Sequence, residues 1–148
     1  MATSILIKDV LDSSIDLTAL ATGGIYDFEE LGREGLTMHN APDAFDGPTI
    51  KPCIVIKSRD KIYTEDLGDE NLQLKSYTQI INIFCLSYAG FGSCEILSHQ
   101  VYILLADQRV PGLGRMVLAG TDEGREAEDL AGSPFIRMDF QLFGYTSP

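Results

Sequence analysis

The sequence predicts an α+β fold: an antiparallel or mixed β-sheet of about four to five strands, two α-helices packed on one face of it, and a projecting β-hairpin. Three observations lead there. Apolar residues recur at helical spacing near the amino terminus and again after Ser93. From Pro134 to Tyr145 they alternate with polar ones, the period of a strand with one face in water. Most candidate strands follow one another across turns too short for a crossover helix, which favours antiparallel neighbours.

A length of 148 residues fits a single domain, residues 1–148, because two domains would each approach the size at which a core becomes marginal. With 45% hydrophobic and 22% charged residues, the chain is too rich in Ile, Leu, Val and Phe to be disordered. Lys and Arg number 11 against 22 Asp and Glu, and the resulting net charge of −11 opposes any partner held through phosphate contacts. The start, Met1 to Asp9, has no cationic segment and meets charge right after Ile5-Leu6-Ile7, so no secretory signal is expected.

From Thr3 to Ala21, Leu6, Val10, Leu17 and Leu20, with Ile7 and Leu11 beside them, follow helical spacing while Lys8, Asp9, Asp12 and Asp16 fill the rest. Ser13-Ser14 is a candidate break and Gly23-Gly24 a stop. Residues 23–51 read as a long loop or arm with five glycines and the acids Asp27, Glu29, Glu30 and Glu34. So long a segment without periodicity is either a functional loop or a flexible excursion, with candidate short strands at Ile25–Phe28 and Leu36–His39.

Cys53-Ile54-Val55-Ile56 follows Pro52 as a short strand, and an acidic hairpin loop at 60–71 leads into a long strand from Gln73 to Ser87. Parity puts Leu74, Ile80, Phe84 and Leu86 on one face and Tyr77, Ile81, Ile83 and Cys85 on the other, so its second half is covered on both sides, as a central strand is. Its more polar first half, 73–78, is expected to project as one arm of a hairpin with residues 53–63. The uncharged 19-residue run Ser76–Cys94 raises a membrane reading, but Ser76, Thr78, Gln79, Asn82 and Ser87 interrupt it; a buried strand and no membrane partner are expected. Ser93 is the candidate N-cap of a second helix whose buried stripe is Cys94, Leu97, Val101, Leu104 and Gln108, broadened by Ile96, Ile103 and Leu105 and ended by Pro111-Gly112. Arg115–Ala119 reads as a short strand and residues 120–132 as an acidic loop. In the closing strand from Pro134, Ile136, Met138, Phe140 and Leu142 face inward.

Catalytic chemistry finds little to work with. His39 and His99 are isolated, and His99, inside an apolar helix, is expected to be partly buried and satisfied. Cys53, Cys85 and Cys94 are odd in number and widely spaced, which reads as reduced, mostly buried thiols rather than a zinc site. Gly112-Leu113-Gly114-Arg115 runs from helix to strand, the reverse of a phosphate cradle. The acids at 64–70 and 121–129 lack calcium-loop spacing. No catalytic residue, cofactor or metal is expected, and no basic stripe serves nucleic acid. An aromatic surplus remains, Tyr63, Tyr77, Phe91, Phe135, Phe143 and Tyr145, which points to a sheet surface covered by another subunit. The alternative is a small-ligand-binding or regulatory α+β domain, which requires a deep apolar pocket with convergent polar groups.

The order of elements is an amino-terminal helix, Gly24-Ile25-Tyr26-Asp27, the Lys51-Pro52-Cys53-Ile54-Val55-Ile56 strand, the acidic loop 60–71, the long strand 72–88, a helix and two closing strands. Over most of the chain this order resembles the tail terminator, or tail completion, proteins of long-tailed bacteriophages. The resemblance implies a structural protein, not an enzyme, located in the tail or neck of a virion and assembled in the host cytoplasm. It implies a homo-oligomer, a hexameric ring, that caps the tail tube, ends tail elongation and joins the tail-tube protein to a head-to-tail connector protein. DNA would pass through the lumen without specific binding. Asp66, Asp69 and Glu70 in the hairpin and Asp122, Glu123 and Glu126 in the later loop would then repel phosphates or contact partners, where otherwise they serve only solubility. The hairpin is the expected tube-facing or neighbour-facing contact, since a strand longer than its core must pair with something. The 23–51 segment is a candidate reach toward a neighbouring subunit.

Overall fold

The computed structural model describes residues 3–32, 34–67, 74–110, 112–124 and 131–146. The amino-terminal helix divides into α1 (Thr3–Asp12) and α2 (Ile15–Leu20) because Ser14 takes extended backbone and caps the second piece, its Oγ accepting from the Leu17 N–H at 3.2 Å. Strand β1 (Ile25–Asp27), a single turn of helix α3 (Phe28–Leu31), a 3-10 turn at Pro42–Ala44 and a small hairpin, β2 (Phe45–Asp46) with β3 (Thr49–Ile50), occupy the long segment. No strand forms at 36–39. The remaining elements are β4 (Cys53–Ser58), β5 (Ile62–Leu67), β6 (Leu74–Leu86), α4 (Phe91–Leu105), β7 (Gly114–Gly124) and β8 (Phe135–Thr146).

Six strands form one mixed α+β sheet in the order β1-β4-β6-β8-β7, with β5 also on β6. Only β1, parallel to β4, departs from antiparallel pairing. Strand β8 covers one flank of β6 from Lys75 to Leu86, while the other flank is shared end to end: β4 pairs with Ile81–Leu86 and β5 with Leu74–Thr78. The arm expected at 53–63 is therefore two strands that step along β6, and at the step the Arg59 N–H donates to the Ile80 carbonyl at 3.0 Å.

Pairing fixes the two faces, since directly opposed residues share a side. One face presents Ile54, Ile56, Tyr77, Ile81, Ile83, Cys85, Met138, Phe140, Leu142 and Met116 to α1, α2 and α4, which supply Ile7, Leu11, Leu17, Leu97, Val101 and Leu105. Tyr77 fits because it lies over Gly144, where an added Cβ would stand 2.6 Å from its ring. Two buried hydrogen bonds pin the start of α1 to this face: Thr3 Oγ1 donates to Gln79 Oε1 and Ser4 Oγ to Asp27 Oδ2, both at 2.9 Å. Asp27 Oδ1 also accepts the Glu29 N–H and caps α3, so one buried carboxylate joins the helix layer to the start of the long segment.

The second face is covered over part of its area only. Leu31, Leu36, Ala41, Ala44 and Ile50 of the long segment pack on Cys53, Val55 and Leu86, with Phe28, Phe45, Phe84 and Phe135 around them. The segment that lacks periodicity in sequence is thus a cap over one end of the sheet.

Helix α4 differs from its expected outline at both ends. It starts at Phe91, with Gly90 at φ 110° making the turn out of β6, so Ser93 lies in the first turn rather than at the cap. It ends at Leu105, because Asp107 to Val110 leave to pair with β7: the Asp107 N–H donates to Met116 O and the Met116 N–H to Gln108 O. Its buried stripe is Cys94, Leu97, Val101 and Leu105; Leu104 is half-buried and Ile96, His99 and Ile103 point to solvent. His99 is therefore exposed, not partly buried, because it falls opposite that stripe. None of the helices among the described residues is long and apolar enough to cross a membrane, and the run Ser76–Cys94 is mostly β6.

Leu97→Ala should destabilise the fold by about 2–5 kcal/mol, the cost of a methylene-lined cavity, while Ile103→Ala should change it by less than about 0.5 kcal/mol. Urea titration of both variants checks this, and equal losses would mean that the buried stripe is wrongly drawn.

Candidate functional site

Strand alternation sends the odd-numbered residues of β8 and the even-numbered residues of β6 to the second face. Near Phe84 and Phe135 the long segment covers them. Beyond it, Ile80, Gln141 and Phe143, with Val117 from β7, form an open surface whose exposed apolar side chains are Ile80 and Phe143. A polar cluster interrupts it at the boundary. Asn82 Nδ2 donates to Asp139 Oδ1, and Asn82 Oδ1 accepts from Arg59 Nε at 3.1 Å. Arg137 clamps the same carboxylate through Nε at 2.9 Å and Nη2 at 3.2 Å, and Asp122 Oδ2 lies 3.8 Å from that guanidinium. Arg59, Asn82, Arg137 and Asp139, with Ala119 and Ile80, line a solvent-open trough of about 210 Å³. That is smaller than the roughly 300–1,000 Å³ in which a small ligand is usually buried. Larger hollows, about 370 and 440 Å³, lie beside the β2–β3 hairpin and the Gly23–Gly24 turn.

Among the acids singled out in the sequence, Asp122 faces the open surface and pairs with Arg137, whereas Glu123 faces the opposite side, opposed to Ile136. Asp66, on β5, is opposed to Lys75 of β6. Asp69, Glu70 and Glu126 lie outside the described residues. The acids are thus not brought into one cluster by the described backbone. Arg59, Asn82, Arg137 and Asp139 were not singled out; the signal was Asn82, the one polar residue among Ile80, Phe84 and Leu86 on its side of a central strand. Of the aromatic surplus, Tyr77 is buried and Phe135 packs edge-on to Phe84, while Phe143 and Tyr63 are exposed.

Reactive chemistry is muted. All three thiols are free and buried. Burial pushes Cys53 up to about 12 and Cys85 up as well, and it raises Cys94 to about 11 against backbone hydrogen bonds that lower it. At neutral pH they are protonated and poor nucleophiles. Among the described residues, no three His, Cys, Asp or Glu side chains gather so as to hold a metal ion.

Neither a known protein family nor a curated protein sequence matches this chain. A solved structure does: a chain in the virion of a native gene transfer agent particle is similar with a TM-score of 0.62 at 15% identity, over 98% of this chain and 96% of that one. The two chains share a fold from end to end.

Two outcomes follow from the site's energetics. Asp139→Ala leaves the donors of Asn82 and Arg137 without their acceptor at a half-buried position, and should cost about 1–3 kcal/mol in denaturant melts. A raised thiol pKa means that the folded chain holds its proton longer than the unfolded one, so stability is flat below the ordinary 9.0 and declines as pH rises beyond it. The decline at Cys53 is up to about 1.4 kcal/mol per pH unit, and Cys53→Ala should flatten the fall of melting temperature between pH 9 and 11; an unchanged slope contradicts its burial.

Proposed function

We propose that this chain is a structural protein of a phage-like virion, and within it the ring that caps the tail tube, ends tail elongation and joins the tail to the head connector. The single observation that carries the reading is the end-to-end likeness to a chain of a gene transfer agent virion, 98% of this chain on 96% of that one. Two features of the molecule support it. The sheet leaves part of one face, with Ile80 and Phe143, without a layer of its own, as a subunit waiting for a neighbour does. The chain also carries a net charge of −11, which suits a channel wall that DNA must slide past without sticking.

In this reading the copies close into a hexameric ring on the last ring of tail-tube protein, and the opposite end of the ring receives the connector. The β5–β6 hairpin serves as the contact to the tube or to the neighbouring copy. Asp122 is engaged by Arg137 and belongs to the sheet surface, so Asp66, Asp69 and Glu70 at the hairpin are the acids assigned to the lumen. Glu123 and Glu126 are assigned to partner contacts.

Deleting the gene from a particle-producing strain should give tails of broad and excessive length that fail to join heads, with the intact gene restoring uniform particles. Negative-stain micrographs measure both. Tails of normal length joined to heads in the deletion would overturn the reading.

A further inference from the structure

We infer that the copies in the proposed ring join head to tail, the outer surface of the helix layer of one copy docking on the open part of the second sheet face of the next. The inference rests on the ring reading above and adds the surfaces that make it. It begins with α4, whose 15 residues carry one formal charge, Glu95. A surface helix normally turns polar residues to water, yet beside Glu95, His99 and Tyr102 the outer side of α4 carries Ile96 and Ile103, 56% and 53% exposed, and Ile15 of the adjoining α2 is 84% exposed. The open sheet face also exposes apolar side chains, Ile80 at 37% and Phe143 at 42%, with Ile62, opposed to Thr78, at 62%.

Charge decides which partner fits. The exposed rim of the helix layer has Asp9, Asp12, Asp16 and Glu95 against Lys8, three net negative charges. Around the open part of the sheet face Arg59, Arg115 and Arg137 stand against Asp107, Asp122 and Asp139, balanced charge in a chain of −11. Among the described residues the guanidinium of Arg59 has no carboxylate partner; it is exposed and donates to Asn82 only through Nε. Helix layer against helix layer would bring the carboxylates together, whereas helix layer against sheet sets the acidic rim on a balanced surface that includes the Arg59 guanidinium. The contact also repeats the packing already inside each copy, helices laid on a sheet face. Because the two surfaces lie on opposite sides of the sheet, the contact is heterologous, and such contacts build closed rings when the rotation between copies allows it.

The test uses two full-length variants, one with Ile96→Glu and Ile103→Glu, the other with Ile80→Glu and Phe143→Glu. Native mass spectrometry of wild type should show rings, each variant alone should be monomeric, and an equimolar mixture should form dimers and nothing larger, because only one good junction remains. Circular dichroism melts confirm that the variants fold; if the second does not, Ile80→Thr with Phe143→Thr, which keeps strand propensity, replaces it. Rings formed by both variants overturn this inference and leave the ring reading standing. Loss in one variant only, with the other unaffected, points to an isologous contact and also overturns it. Wild type that stays monomeric at every concentration and on added tail tubes overturns the ring reading and this inference together.

Discussion

The structure depends on a single geometric constraint, the alternation of side chains along β6. Its 13 residues are flanked by β8 on one side and by β4 and β5 on the other, so neither edge is free and both faces need cover. Every other element answers that need. Three helices fill the face of Tyr77, Ile81, Ile83 and Cys85. The long segment fills the face of Phe84 and Leu86. The chain then runs out of layers, and from Asn82 toward Ile80 the second face is left to solvent. A strand that is central along its whole length but covered along only half of one face is under no strain as a monomer; it simply carries apolar area that a neighbour can remove from water, at about 25 cal/mol per Å².

How the polar residues are spent follows from the same alternation. Asn82 and Asp139 are directly opposed on neighbouring central strands, and a lone amide or carboxylate there would be costly. The cost is offset because Arg59 and Arg137 reach the pair from either side, and no buried side-chain nitrogen or oxygen among the described residues is left without a partner. The cluster marks the border between the covered and open parts of the face. On the other side of the sheet, Thr3, Ser4, Asp27 and Gln79 perform a similar task, replacing what would be buried unpaired groups with a clasp that fixes where α1 begins. Both clusters are specific in geometry, so they set register and orientation more than they add stability.

Much of this was legible in the sequence and the illegible parts have physical reasons. The inward faces of β6 and β8 could be read by parity, and the break at Ser13-Ser14 from the paired serines that interrupt the helical run, because these signals are local. The cap formed by residues 28–50 was not, since its buried residues Leu31, Leu36, Ala41, Ala44 and Ile50 have no period; they are chosen by the shape of the surface beneath them. The ends of α4 were misplaced for two different reasons. At the start, Gly90 does through its backbone what Ser93 could have done through its side chain, and at the end the ladder to β7 competes for Gln108. His99 was misjudged because a helix with apolar residues on every side hides which of them faces inward. The polar cluster was half visible: Asn82 breaks an apolar parity, but its partners come from 23 and 57 residues away.

That last difficulty with α4 is also its most informative property. A helix that exposes Ile96 and Ile103 on its outer face costs solubility in an isolated subunit. The chain keeps it beside Asp9, Asp12, Asp16 and Glu95, and so surrounds the greasy stripe with repulsion toward any second copy of the same stripe. Like surfaces are thereby discouraged and an unlike one is required. The open sheet face, flat, apolar and locally cationic around Arg59, meets that requirement within the same chain. A molecule carrying both halves of such a pair on opposite sides cannot satisfy itself, and satisfies its copies only by passing the contact on. For a protein with this much negative charge, the proposed closure around a hole would hide both apolar surfaces while keeping most of its carboxylates in water.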